Sequence, residues 1–430
     1  MTPTVSVTSS AAPVVTGIGA ITPVGLDAPS SWRALLAGET GVGPLTLFDA
    51  SDFPVKIAAE VKDFDGDAVM GTKRFRRSAR YSQFAVAAAR EAFADAGLSS
   101  GVDGGVGGDV EASIDPDRVG VVINAAIGGA TEANAAADQL REQGLRGVSP
   151  YFVPSMISNM PACEVAIDLG LHGPVSASAL ACASGNAALL EARRLILCGE
   201  ADVVIAGGTD AAISPVVMAG LANMGPLSLN NDNPAEASRP FDAERDGFVF
   251  GEGAVVFVVE SAEFAAARGA RVYGTVSGGA LTADAFHISH PQPSGADAAR
   301  AITQALARAG VTAEDVDLVV AHGTGTKIND SVETKAMHTA FGAAAGGLAV
   351  TSPKSMTGHM IGAAGAISVM VALLAMRDGV ISPTVNLETP DPDCDLDYVP
   401  LVARETPVAT AVVNAFGFGG QNCVLVLQAP

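Results

Sequence analysis

Apolar positions along this chain come in two rhythms. Six short runs, at 118–125, 201–208, 253–260, 317–323, 409–417 and 422–428, are almost continuously Val, Ile, Leu and Ala, as in "GAVVFVVE" and "NCVLVLQ". Unbroken apolar runs of that length predict strands buried on both faces. Between them, stretches with helical spacing lie at 78–96, 128–143, 183–198, 296–309, 330–341 and 362–377. Such alternation predicts an α/β protein of layered sheets covered by helices. The longest uncharged stretch, "IGAAGAISVMVALLAM" at 361–376, has 16 residues. It is short for a membrane span and rich in Gly and Ala, so it predicts a central buried helix. Residues 1–11 read as a loose tail, and the Gly- and Asp-rich stretch 97–117 as a surface insertion.

The chain also carries a weak internal repeat. Slid over itself so that Cys182 meets His359, "CASGNAALLEARRLILCGEADVVI" lies over "HMIGAAGAISVMVALLAMRDGVIS", and Gly185 meets Gly362. Two related halves follow, 12–260 and 261–430, with Cys182 in the first and His359 in the second.

Composition narrows the class. With 430 residues, 49% of them hydrophobic and 17% charged, the chain can bury a large core. A net charge of −21 argues against nucleic acid as a partner, because phosphate contacts need a basic surface. Five scattered cysteines with no CxxC pair fit a reducing cytoplasm and neither a disulfide framework nor a zinc site. No basic region followed by an apolar core opens the chain, so a cytoplasmic location is expected. Against this acidic background, "TKRFRRSAR" at 72–80 concentrates Lys73, Arg74, Arg76, Arg77 and Arg80. It is either a solvated helix face or a docking patch for an acidic partner.

Candidate chemistry begins at Cys182. Small residues surround it (Ala181, Ala183, Ser184, Gly185), directly ahead of a helical run. That setting suits a buried core cysteine, and it equally suits a nucleophile at a helix start, where N–H groups and the macrodipole favour thiolate. Three further segments carry the groups such a nucleophile needs. "VVAHGTGTKIND" sends His322 off a strand end, followed by Thr324, Thr326, Asp330 and Glu333; "TSPKSMTGHMIGAAGA" supplies Lys354 and His359; and "NAFGFGGQN" is a Gly-rich turn suited to presenting backbone N–H groups.

Together with "VVTGIGAITPVG" and "SRPFDAERDGFVFGEGA", these segments resemble the elongating β-ketoacyl-acyl-carrier-protein synthases, over nearly the whole chain. The resemblance implies a thiolase-like five-layer α-β-α-β-α fold of two pseudo-duplicated halves. It implies an acyltransferase that holds an acyl chain on Cys182 and condenses it, with loss of carbon dioxide, with malonyl-acyl-carrier protein. His322 and His359 match the pair that hydrogen-bonds the enolate, and the N–H groups of Cys182 and Phe418 match the oxyanion hole. Lys354 matches a lysine beside the second histidine. Glu333 matches an organising acid, with Asp330 one turn before it. Thr324 and Thr326 match hydroxyls that hold the phosphopantetheine arm. Phe418 belongs to a loop that swings to admit the second substrate, and Ile127 to the floor of the acyl pocket. Lys73, Arg74, Arg76 and Arg77 fall where such enzymes meet the acidic carrier. No metal and no cofactor beyond the carrier's arm is implied. The helix start is expected to bring the Cys182 thiol below its usual 8.5.

Intact Cys182 argues against a noncatalytic chain-length factor. Paired histidines argue against a starter-unit synthase, and Cys423, opening a strand, against a degradative thiolase. Within the elongating enzymes the signals are mixed. "HGTGTKIND", with Lys327 after the second Thr, leans to type II polyketide ketosynthases; "FGFGGQN" leans to fatty-acid synthase II. The expected reading is a polyketide ketosynthase handling reduced or polyene chains, paired with a chain-length-factor-like subunit; the alternative is a homodimeric fatty-acid synthase II. Dimerisation is expected through an edge strand at 201–208, with 151–160 reaching the partner's pocket.

Overall fold

The computed structural model describes residues 12–99 and 114–430; the expected tail 1–11 and residues 100–113 of the expected insertion lie outside the described residues. Ten strands build the core: β1 (Val14–Ile21), β2 (Val119–Asn124), β3 (Val175–Ser176), β4 (Val203–Asp210), β5 (Gly253–Glu260), β6 (Gly274–Ala283), β7 (Leu318–Val320), β8 (Ala349–Thr351), β9 (Thr410–Gly417) and β10 (Gln421–Gln428). Their order is β8-β7-β9-β10-β6-β1-β5-β4-β2-β3. The order reads the same from both ends: each strand before residue 260 has a counterpart five strands later. β2 and β7 each lie between two parallel neighbours, and β5 and β10 each run antiparallel to theirs. The two five-stranded arrays join where Val14 and Val15 of β1 pair with Thr275 and Gly274 of β6.

Six helices complete the layers: α1 (Arg80–Asp95), α2 (Met160–Leu169), α3 (Ser184–Leu197), α4 (Ala296–Ala309), α5 (Lys327–Phe341) and α6 (Ala364–Asp378). Alternate residues of one strand point into different layers. Val203 and Ile205 of β4 face α1 and α2, whereas Val204 and Ala206 face the central pair α3 and α6. In β9, Val412 faces outward to α4 and Val413 inward to α6. Both strand faces are therefore dry, which is why these strands read as unbroken apolar runs. Burying each such Val or Ile contributes about 1.5–3 kcal/mol. This is the five-layer thiolase-like arrangement. Helix α6 with its leading turn, Ile361–Asp378, is long and apolar enough to cross a membrane, but 83% of it is buried inside the protein.

Two expectations change here. The run around 201–208 is not an edge: β4 is paired on both sides, by β2 and β5. The edge of that array is β3, whose two residues are exposed. The repeat also has a different register. Ala181–Ala183 and Ile361–Ala363 are equivalent 3₁₀ turns leading into α3 and α6, so Cys182 matches Gly362 and not His359. Both turns open with a residue in the left-handed region, Ala181 at φ 47° and Ile361 at φ 46°.

Candidate active site

Cys182, His322 and His359 meet at the base of a cavity of about 590 Å³, their ligand atoms all within 4.8 Å of one another. Each arrives from a different element. Cys182 sits in the turn before α3, His322 follows β7, and His359 precedes the turn into α6. All three are buried.

The cysteine is held as a thiol. Burial pushes it up to about 11, while the Lys354 charge and the N–H groups of Phe418 and Cys182 itself pull the other way. The expected lowering by the helix start is thus outweighed by desolvation. Those same two N–H groups form a pocket for negative charge beside the sulfur. Lys354, fully buried, is itself lowered to about 8 by burial, with Glu333 and Cys182 acting in opposition.

Both imidazoles are neutral. Burial, then the Lys354 charge, takes each well below the usual histidine range. His359 Nδ1 accepts the Ile361 N–H at 3.2 Å, which places the ring proton on Nε2. His322 Nδ1 has no hydrogen-bond partner among the described residues; its ring packs edge-on to His359 at 5.5 Å.

The acids hold the backbone. Glu333 accepts the N–H groups of His322 and Gly323, each at 2.8 Å, and the Asn414 amide at 3.0 Å. Asp330 accepts Thr324 N–H at 3.1 Å and Phe241 N–H at 2.8 Å, and faces buried Arg245 at 3.4 Å. Burial pushes both carboxyls above their ordinary values. Arg245 also donates to the carbonyls of Thr326 and Lys327, so the turn is clamped from below. Thr324 and Thr326 line the cavity with their hydroxyls 3.0 Å apart, and Thr326 caps α5 through Asn329 N–H. Phe418, 39% exposed, and Ile127 both line the same cavity.

Not every expected residue is brought there. In the basic stretch, Arg74 is tied up in an ion pair with Asp168, and Arg80 with Glu252. Lys73, Arg76 and Arg77 remain exposed, with Arg77 stacked over Tyr151 at 4.4 Å. Arg74 thus ties this stretch to Asp168 while its side chain stays partly exposed. Two buried residues escaped sequence reasoning, Arg245 and Asp210. Asp210 stands just past the apolar run at the end of β4 and accepts four backbone N–H groups. An acid directly after a buried strand was the available signal.

A buried cysteine beside an anion pocket, with two neutral imidazoles in a thiolase-like fold, defines a condensing enzyme that works on thioesters. Residues 12–265 match the family "Beta-ketoacyl synthase, N-terminal domain" and 273–388 its "C-terminal domain". The chain is 44% identical over 415 residues, 96% of it and 97% of the relative, to a 3-oxoacyl-[acyl-carrier-protein] synthase 2 of Synechocystis. It is 42% identical to that of Staphylococcus aureus, over 96% of this chain and all of the relative. Among solved structures, "The ishigamide ketosynthase/chain length factor" matches with TM-score 0.89 at 32% identity, covering 98% of this chain and all of that one. AntDE:AntF, a type II PKS acyl-carrier protein in complex with its ketosynthase bound to the hexaketide, matches with TM-score 0.88 at 31% identity over the same shares. The chain belongs to the beta-ketoacyl synthase family. It is an acyl-transferring condensing enzyme that joins an acyl chain to malonyl-acyl-carrier protein.

Proposed function

We propose that this chain is the ketosynthase of a type II polyketide system making reduced or polyene chains, with Cys182, His322 and His359 as its catalytic residues. The meeting of those three side chains beside the Phe418 N–H carries the catalytic part. In the first half-reaction, Cys182 Sγ bonds to the acyl carbonyl carbon and the carrier's C–S bond breaks. The thiol proton ends on the departing carrier thiol. Charge on the tetrahedral oxygen is taken by the N–H groups of Cys182 and Phe418.

In the second half-reaction, the malonyl C–C bond to its carboxylate breaks and carbon dioxide leaves. The electron pair passes to the thioester oxygen, where Nε2–H of His359 and the imidazole of His322 stabilise it. The enolate carbon then bonds to the acyl carbonyl, and the C–S bond to Cys182 breaks with its electron pair returning to sulfur, which takes a proton from solvent to restore the thiol. Thr324 and Thr326 hold the carrier's arm, Lys354 supplies positive charge toward the sulfur, and Ile127 limits the chain. Glu333 and Asp330 fix the His322 turn. A Cys/His/His cluster has the donors of a metal site, but His359 points a protonated Nε2 inward, which offers no lone pair. The proposed reaction uses no metal and no cofactor beyond the carrier's arm.

Pathway and partner are read from one cavity residue and from the similar structures. Lys327, lining the cavity, stands where fatty-acid synthases more often carry Pro, and the similar structures include a type II PKS ketosynthase with its acyl-carrier protein and a ketosynthase/chain length factor. The partner we assign is a chain-length-factor-like subunit, in the cytoplasm. A second reading, a homodimeric fatty-acid synthase II, is favoured by the names of relatives at 42–44% identity. Native mass and condensation of the purified chain, alone and with a cysteine-less homologue, separate them. Activity only in a mixed dimer supports the polyketide reading; a homodimer fully active alone overturns it.

A further inference from the structure

Asp210 is fully buried at the end of β4, and both its carboxylate oxygens are saturated by backbone donors from two separate segments. Oδ1 accepts Gly128 N–H at 3.0 Å and Ile127 N–H at 3.3 Å; Oδ2 accepts Ala126 N–H at 3.0 Å and Gly362 N–H at 2.9 Å. The first segment carries Ile127 against the cavity. The second begins two residues after His359, and its Ile361 N–H is the donor that fixes the histidine's tautomer.

Ile361 is held at φ 46°, a conformation that a β-branched residue adopts only when its surroundings impose it. The neighbouring peptide is pinned by Asp210 through Gly362. No side chain larger than hydrogen fits there: a Cβ on Gly362 would lie 2.6 Å from Asp210 Oδ2. The carboxylate therefore joins the floor beneath the acyl chain to the peptide that aims His359.

We infer that Asp210 is a positioning residue for the second half-reaction, coupling the acyl-pocket floor at Ile127 to the His359 donor. The inference rests on the catalytic roles proposed above. It assigns Asp210 no contact with substrate. Its charge opposes ionisation of Cys182, so neutralising it does not slow the first transfer electrostatically. Burial raises this carboxyl to about 6, against the four N–H groups that favour its anion.

The test is Asp210→Asn in the full chain, with the half-reactions measured separately. Acyl transfer to Cys182 is followed by intact mass. Carbon dioxide release is followed in a single turnover after malonyl-acyl-carrier protein is added to the pre-acylated enzyme. An amide can accept at one atom only, so two of the four N–H groups lose their partner. Acylation by a short chain is expected to stay within about twofold, while carbon dioxide release falls by about tenfold or more, since sub-ångström misplacement of a donor is costly. The acyl-length profile should broaden in the same variant. Asp210→Ser, smaller than the carboxylate and able to reach only part of the same N–H set, should reproduce the split and covers failure of the first variant to fold. Equal loss in both half-reactions, or no loss in either, overturns the inference. Absence of both half-reactions in the unsubstituted chain would instead overturn the catalytic reading.

Discussion

Cys182 and Gly362 occupy the same place in two copies of one turn, and an anion stands beside only the second. Each follows a residue near φ +46° and leads into a central helix, α3 or α6, with its N–H at the helix start. The strand ends beside them are equivalent too, Gly417 of β9 beside the first and Asp210 of β4 beside the second. At Gly362 the N–H is taken by the Asp210 carboxylate. At Cys182 no side chain extends from Gly417, and the N–H is left beside the sulfur with that of Phe418. A helix start favours negative charge wherever it occurs. Filled from within, it is a structural clamp; left open on a cavity, it can receive charge that develops on a substrate.

The largest effects should come from removing the reacting group that each copy carries, Cys182 in the open turn and His359 ahead of the filled one. Cys182→Ala should abolish the covalent acyl adduct and with it condensation. His359→Ala should leave the adduct intact and slow carbon dioxide release by about 10²–10³-fold, the usual cost of one lost donor in such a site. Intact mass and single-turnover gas release distinguish the two. An unchanged release rate in His359→Ala would remove the histidine from the mechanism.

Charge around the open copy is next in size. Lys354 is the leading influence that favours the Cys182 thiolate, so Lys354→Met should raise the thiol further above 11. At pH 7 its alkylation by iodoacetamide should slow by about tenfold, the equivalent of one pKa unit. The sign of the pH dependence follows from Lys354 itself. Its cation is present below about 8 and lost above it, so the gap between the enzyme and the variant should narrow as pH rises through 8. A gap that widens there would mean the lysine acts by packing and not by charge.

A smaller effect concerns the outside of the molecule. Arg76→Glu with Arg77→Glu should weaken acyl transfer from carrier protein by about tenfold at low salt and spare a small thioester mimic, since exposed charges act mainly on encounter. Arg74→Glu should behave differently, lowering thermal stability through its lost pair with Asp168, which Arg90 also holds. If the first variant slows both substrates alike, the patch is not where the carrier docks.

How much of this could be read from sequence depends on what each strand packs against. β4, β5, β9 and β10 announce themselves because large apolar side chains fill both faces. β1 and β6, counterparts of each other at the join between the two arrays, do not. "GTVSGGALTA" in β6 is nearly all small because α4 lies so close that a Cβ on Gly278 would meet the Ala305 carbonyl at 2.6 Å. Helix proximity erased the hydrophobic signal there, and Gly17 and Gly19 of β1 sit under α1 in the same way. Five of the six layer helices emerged with small boundary errors: 296–309 coincides with α4, and α5 starts at Lys327, three residues before its expected start, whereas α2 was not among the expected stretches. Cys182, His322 and His359 were legible because strand ends and helix starts frame them in recognisable strings. Asp210 was not, because its role is to satisfy backbone donors brought from elsewhere in the chain, and its only local trace is an acid at the end of an apolar run. The register of the repeat misled for a related reason: both segments are rich in Gly and Ala, and the matching left-handed residues Ala181 and Ile361, which the sequence does not mark, fix the true one.

Those left-handed residues give the smallest and most discriminating test of the two copies. A non-glycine residue there costs about 1–2 kcal/mol, and Gly removes that cost while adding some freedom to the unfolded chain. Ala181→Gly should therefore raise stability by up to about 1 kcal/mol, seen as a melting temperature higher by about a degree in a chain this long. Ile361→Gly relieves the same strain but deletes a side chain only 7% exposed, so burial loss of about 2–4 kcal/mol should dominate and lower the melting temperature. The kinetic outcomes should also separate. Loosening residue 181 frees the peptide that presents the open N–H, so acylation of Cys182 should slow by a few-fold even as the protein becomes more stable. A more stable Ala181→Gly variant with unchanged acylation would show that the strain does not serve the anion pocket.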